Sequence, residues 1–176
     1  MEARIAELVR SGADEALDAL HARYADEIQA VAYLILRDRF EAEDVMAETL
    51  ISAWRHGRRL RSEASLRPWL LKVATNHALA IRRKRRHVSS LEFAEVSTPD
   101  PTGPLAGRIA LVAAVDGLPD EMRAAVVLHY FSDLPVDDVA RVLGKSPNTV
   151  KSQLRVALDR LRAGADRPGG RFDDAG

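Results

Sequence analysis

Residues 136–161 permit few folds, because two apolar periodicities meet across a very short break. Val136, Val139, Ala140 and Leu143 recur at helical spacing, which places them on one buried face. Gly144 follows, and glycine takes up the left-handed backbone that ends a helix without steric cost. Ser146 and Pro147 then supply an N-cap and a first-turn proline for a second helix. In that helix Val150, Leu154, Ala157, Leu158 and Leu161 form an apolar stripe, while Asn148, Lys151, Ser152 and Arg155 form a polar one. Two such helices across so tight a turn predict a helix-turn-helix.

A helix whose back packs on a domain and whose front is polar can enter the major groove of DNA. The same residues also fit an ordinary helical hairpin with a solvated face, so the charge layout matters. The formal net charge of zero conceals strong segregation. Residues 1–54 carry net −7, residues 55–86 net +10, residues 87–144 net −6 and residues 145–162 net +4. Two basic blocks point to two polyanion-binding surfaces, with acidic surfaces left for other partners.

A chain of 176 residues suits two small domains, each built from well-packed amphipathic helices. It has no cysteine, which excludes disulfides and cysteine-ligated metal. The five histidines are scattered without metal-binding spacing, so no metal or cofactor is expected. No phosphate loop or nucleophile–base pair is visible, so an enzyme is not expected. No signal peptide or apolar span of membrane length is present, which implies a cytoplasmic protein without membrane insertion.

Along the chain, residues 1–13 offer no clear pattern. Leu17, Leu20, Tyr24, Ile28, Val31, Leu34 and Ile35 predict one long helix or two abutting ones over 14–36. A second helix spans about 40–57, with Ala42, Val45, Met46, Thr49, Ala53 and Trp54 inward. Its other side carries Glu41, Asp44 and Glu48, which suit either the helix macrodipole or a basic protein partner. A basic loop, 58–65, ends in Ser65 as a candidate N-cap. The next helix, to about residue 86, has Leu66, Leu70, Val73, His77 and Ile81 on its inner face, with Trp69 bordering it. Lys72, Asn76, Leu79, Arg83 and Arg86 lie along another face, closed by the run Arg82 to Arg86, and read as a phosphate-tracking surface. Residues 88–107 have linker composition, helices resume near 108 and 120, and the tail 163–176 is expected to be disordered. The fold class is therefore all-α: two small helical domains joined by a flexible linker, the second containing the helix-turn-helix.

Two stretches carry a family resemblance. The segment LPDEMRAAVVLHYFSDLPVDDVARVLGKSPNTVKSQL resembles the promoter-reading C-terminal domain of bacterial RNA polymerase sigma factors. The segment RYADEIQAVAYLILRDRFEAEDVMAETLISAW, with SEASLRPWLLKVATNHALAIRRKRR, resembles their N-terminal core domain. The layout resembles the minimal, extracytoplasmic-function type, with region 2 over 12–87 and region 4 over 108–162. The resemblance implies that Glu41, Asp44 and Glu48 face the clamp helices of the largest subunit of the polymerase core. It implies that Lys72, Asn76, Arg83 and Arg86, with Arg58, Arg59 and Arg61 of the preceding loop, hold promoter DNA near the start site. The resemblance further implies that the non-template strand is held there once melted and that a flipped base is read at the loop. In the second domain it assigns Ser146, Asn148, Thr149, Lys151, Ser152 and Arg155 to the minus-thirty-five duplex. An anti-sigma regulator is a further partner such proteins commonly have. The alternative is a stand-alone helix-turn-helix regulator whose N-terminal domain dimerises.

Overall fold

A computed structural model describes residues 1–57, 66–89 and 115–165. Among them are seven helices: α1 (Glu2–Ser11), α2 (Ala16–Leu36), α3 (Arg39–His56), α4 (Leu66–Ser89), α5 (Asp120–Val126), α6 (Val136–Leu143) and α7 (Pro147–Ala165). No strand occurs among the described residues. α5 continues through Val127–Phe131 in a wider turn, where the Ser132 N–H donates to the Val127 carbonyl, five residues back.

The helix ends follow local chemistry. The Asp38 side chain, on extended backbone, accepts a bond from the Glu41 N–H at 3.0 Å and opens α3. Gly144 closes α6 at φ 64°, and Ser146 Oγ accepts from the Thr149 N–H at 3.1 Å to open α7, both as their residue types predict. α2 ends differently. Arg37 itself turns left-handed at φ 58°, which costs a non-glycine residue about 1–2 kcal/mol. Its side chain is tied down by Asp116, at 3.0 Å, and lies over the Tyr33 ring.

α2, α3 and α4 pack into a three-helix core around Leu20, Ile28, Ile35, Leu50, Leu66, Leu70 and Ala74. α1, which no periodicity announced, lays Ile5, Ala6 and Val9 on this core. Its path brings Val9 against Gly57, where an added Cβ would sit 1.9 Å from Val9 Cγ1. Trp54, expected inward, is 36 % exposed because Ala53 and Leu50 take the buried positions beside it. In the second domain α5, α6 and α7 enclose Ala124, Ala125, Leu128, Val139, Val150, Leu154 and Ala157.

The sequence leaves open how the two units sit. In the structure the second packs against α2 and α4, and the buried residues form one continuous core. Leu79, expected along the basic face, is 8 % exposed. α4 runs on to Ser89, beyond its expected end. The loop 58–65 with Arg58, Arg59, Arg61 and Ser65, the remainder of the expected linker, the helix expected at 108 and most of the tail lie outside the described residues.

Candidate nucleic-acid interface

α7 is held by Val150, Leu154 and Ala157, all buried. At 100° per residue this stripe turns Asn148, Thr149, Lys151, Ser152 and Arg155 outward, and all five are exposed. Ser146 is also exposed, but its hydroxyl is engaged as the N-cap. The helix therefore presents a row of donors and two cations on a rigid support, which is what reading base edges and phosphates requires.

On α4, Lys72, Asn76 and Arg83 are exposed and fall within roughly 40° of one another around the axis. Moving around the helix toward the second domain come Leu79, Arg86 and then Arg82. Arg82 Nε donates to Asp120 Oδ1 at 2.6 Å and Arg86 Nη2 pairs with Asp120 Oδ2 at 2.6 Å. Arg85 points the other way, pairing with Asp38 at 3.3 Å and Glu41 at 2.5 Å. The run from Arg82 to Arg86 is thus divided among three surroundings: solvent at Arg83 and Lys84, the inter-domain seam at Arg82 and Arg86, and the Asp38–Glu41 pair at Arg85.

The acidic face of α3 is divided as well. Asp44 and Glu48 are exposed, and Glu48 lies 3.5 Å from His77 of α4. Glu41 is half-buried and neutralised by Arg85. The structure keeps Asp44 and Glu48 together on open surface and sets Glu41 aside.

Sequence reasoning did not identify the receivers of the inter-domain arginines. Arg67 donates to Glu27 Oε1 at 2.5 Å and to the Ser132 carbonyl at 2.5 Å, joining α4, α2 and the end of α5. Arg123, only 2 % exposed, donates to the carbonyls of Val115, Asp116 and Leu118 and, across the seam, to that of Ile35. Burial pushes this guanidinium below the ordinary arginine pKa, the Arg82 charge adds to that, and Asp116 and Asp120 oppose it. The available signal was the acidic block beside the basic one, which reads equally well as surface for another protein. Among the described residues no cluster of side chains could hold a metal ion, and no helix is long and apolar enough to cross a membrane.

Residues 20–88 match the family Sigma-70 region 2 and residues 108–161 match Sigma-70, region 4. The ECF RNA polymerase sigma factor SigL of Mycobacterium tuberculosis is 35 % identical over 163 residues, covering 86 % of this chain and 92 % of the relative. SigM of the same species is 31 % identical, covering 83 % and 75 %, and CarQ of Myxococcus xanthus is 28 % identical, covering 89 % and 92 %. Among solved structures, the sigma factor RpoE of Bartonella quintana, crystallised with the anti-sigma factor NepR, superposes with a TM-score of 0.73 at 23 % identity. The match covers 87 % of this chain and 99 % of RpoE. CnrH, in complex with the cytosolic domain of CnrY, gives 0.72 at 23 % identity, covering 94 % and 98 %. The protein is thus of the sigma-70 class, with a region 2 and a region 4 in one chain. Within that class it belongs to the ECF sigma factors, which direct RNA polymerase core to specific promoters and initiate transcription. The stand-alone regulator is set aside.

Proposed function

We propose that the exposed faces described above divide the work of initiation as follows. Asp44 and Glu48 on α3 dock on the clamp helices of the polymerase's largest subunit, with Glu41 contributing through its pair with Arg85. Lys72, Asn76, Arg83 and Arg86 on α4, with Arg58, Arg59 and Arg61 of the adjoining loop, hold the opened promoter near the start site. An extruded base needs a polar pocket, and its backbone needs a basic groove. Asn148, Thr149, Lys151, Ser152 and Arg155 on α7, beside Ser146, read the minus-thirty-five duplex. The protein acts by binding, as a specificity subunit without an enzymatic step or cofactor, on chromosomal DNA in the cytoplasm. An anti-sigma regulator is a further partner.

The observation that carries this reading is the α7 face: five exposed polar residues opposite the buried Val150, Leu154 and Ala157. Transcription in vitro with core polymerase and genomic fragments tests it, since mapped start sites report both activity and sequence preference. On a promoter so found, Asn76→Ala should reduce permanganate reactivity of the melted strand more than it reduces duplex binding. Footprints equal to wild type would remove Asn76 from strand capture.

A further inference from the structure

Asp120 of the second domain pairs with two arginines of α4. It is 7 % exposed, and each of its oxygens lies 2.6 Å from an arginine of α4, Arg82 on one side and Arg86 on the other. Arg86 keeps 64 % of its side-chain surface, so burial does not force it into this pair. A cleft of about 330 Å³ beside the pair is lined by Leu79, Arg83 and Arg86 from α4 and by Pro119, Met122 and Gln153 from the second domain. Gln153 Oε1 is buried in this seam without a partner. One edge of the α4 stripe therefore abuts the second domain, and the Asp120 carboxylate engages two of that helix's arginines. Two oxygens bridging two guanidinium groups are also the arrangement a phosphodiester offers to arginine.

We propose that Asp120 is an intramolecular latch: it occupies Arg82 and Arg86 in place of DNA phosphate and holds the free sigma factor closed with its α4 surface partly withheld. The inference rests on the DNA-holding role assigned to α4 above. Opening exchanges the Asp120 carboxylate for nucleic-acid phosphate at the same arginines. Free protein then binds single strands weakly, because apparent affinity is reduced to the fraction of molecules that are open. The Arg37–Asp116 pair and the Arg67 bond to the Ser132 carbonyl brace the same closed state.

The chain has no cysteine, so dyes can be placed on Ala22→Cys in α2 and Asp159→Cys in α7, both exposed positions. Energy transfer in the full-length protein then reports closure, and fluorescence anisotropy with a fluorescein-labelled dT20 strand reports access to α4. Asp120→Asn should lower transfer and tighten dT20 binding at least about tenfold at low salt. Glu121→Gln removes the same charge one residue along, from a side chain paired with Lys145, and should move neither reading. Asp120→Asn leaving either reading unchanged overturns the latch, as do equal gains from Glu121→Gln. Should Asp120→Asn fail to fold, Leu79→Cys with Met122→Cys, joined across the cleft by a reducible cross-linker, provides the converse test. Binding of dT20 should fall about tenfold and return on reduction; binding unaffected by the cross-link overturns the proposal. Lys72→Ala with Arg83→Ala in polymerase-dependent transcription separates the two levels. Lost promoter melting beside an inert Asp120→Asn sinks the latch alone, whereas normal melting sinks the assignment of α4.

Discussion

The Arg123 guanidinium donates to the Ile35 carbonyl at 3.0 Å, so a buried arginine of α5 closes the C-terminal end of α2. The same carbonyl accepts from Arg82 at 3.1 Å, and Leu36 accepts from Arg85. Three cations thus gather at the negative end of one helix dipole. Arg123→Met removes donors from four carbonyls, three of them in the turn before α5, and unpaired buried carbonyls are costly. Urea denaturation should show a loss of about 3 kcal/mol or more. Arg123→Lys should recover little, since one ammonium cannot reach all four acceptors.

Gly57 sits in ordinary right-handed backbone, so its value lies in close approach rather than in conformational freedom. Gly57→Ala should cost about 1–3 kcal/mol by pushing Val9 and α1 away. Val9→Ala should suppress part of that cost, and a double-mutant cycle measures the coupling. Purely additive effects would separate the two residues.

Charge reversal should distinguish the carboxylates of α3. Asp44→Lys with Glu48→Lys should abolish co-purification with core polymerase and leave the melting temperature near wild type, because both side chains are exposed. Glu41→Lys should instead lower stability by about 1–3 kcal/mol, placing a cation beside Arg85. Unchanged polymerase binding in the first variant would remove α3 from that contact.

Arg155 is exposed on the open face of α7. Arg155→Ala should weaken promoter binding by about 1–3 kcal/mol and relax preference at one base pair if the contact is bidentate to a base. An equal loss on all sequences would assign the contact to phosphate.

Tyr24, 2 % exposed, has its phenol pKa raised above the ordinary value of 10.0, first by burial and then by Glu2. The neutral phenol is favoured in the folded state. Its stability contribution is complete below pH 10 and declines as pH rises toward the folded value, because the unfolded chain ionises first. Stability measured from pH 9 to 11 should therefore fall more steeply in wild type than in Tyr24→Phe. Parallel curves would show that the phenol does not participate.

Much of the fold was legible because it is local. Periodicity placed α2, α3, α4, α6 and α7, and residue type placed the turn at Gly144 and the cap at Ser146. α1 escaped because charged and apolar residues are mixed over 1–13, although Ile5, Ala6 and Val9 are buried. Leu79 was read with the basic face because a single helix cannot reveal that another domain covers that edge.

The sequence by itself determined an all-helical chain with a helix-turn-helix at one end, since hydrophobic spacing and capping chemistry act within one or two turns. It also determined which surfaces carry charge, because composition is additive along the chain. Only tertiary structure decided which charges are free. Arg83 and Arg85 are near neighbours in one basic run, yet the first is exposed and the second is bound to Asp38 and Glu41. An ion pair depends on distance in space, and segments dozens of residues apart reach that distance only when the helices pack.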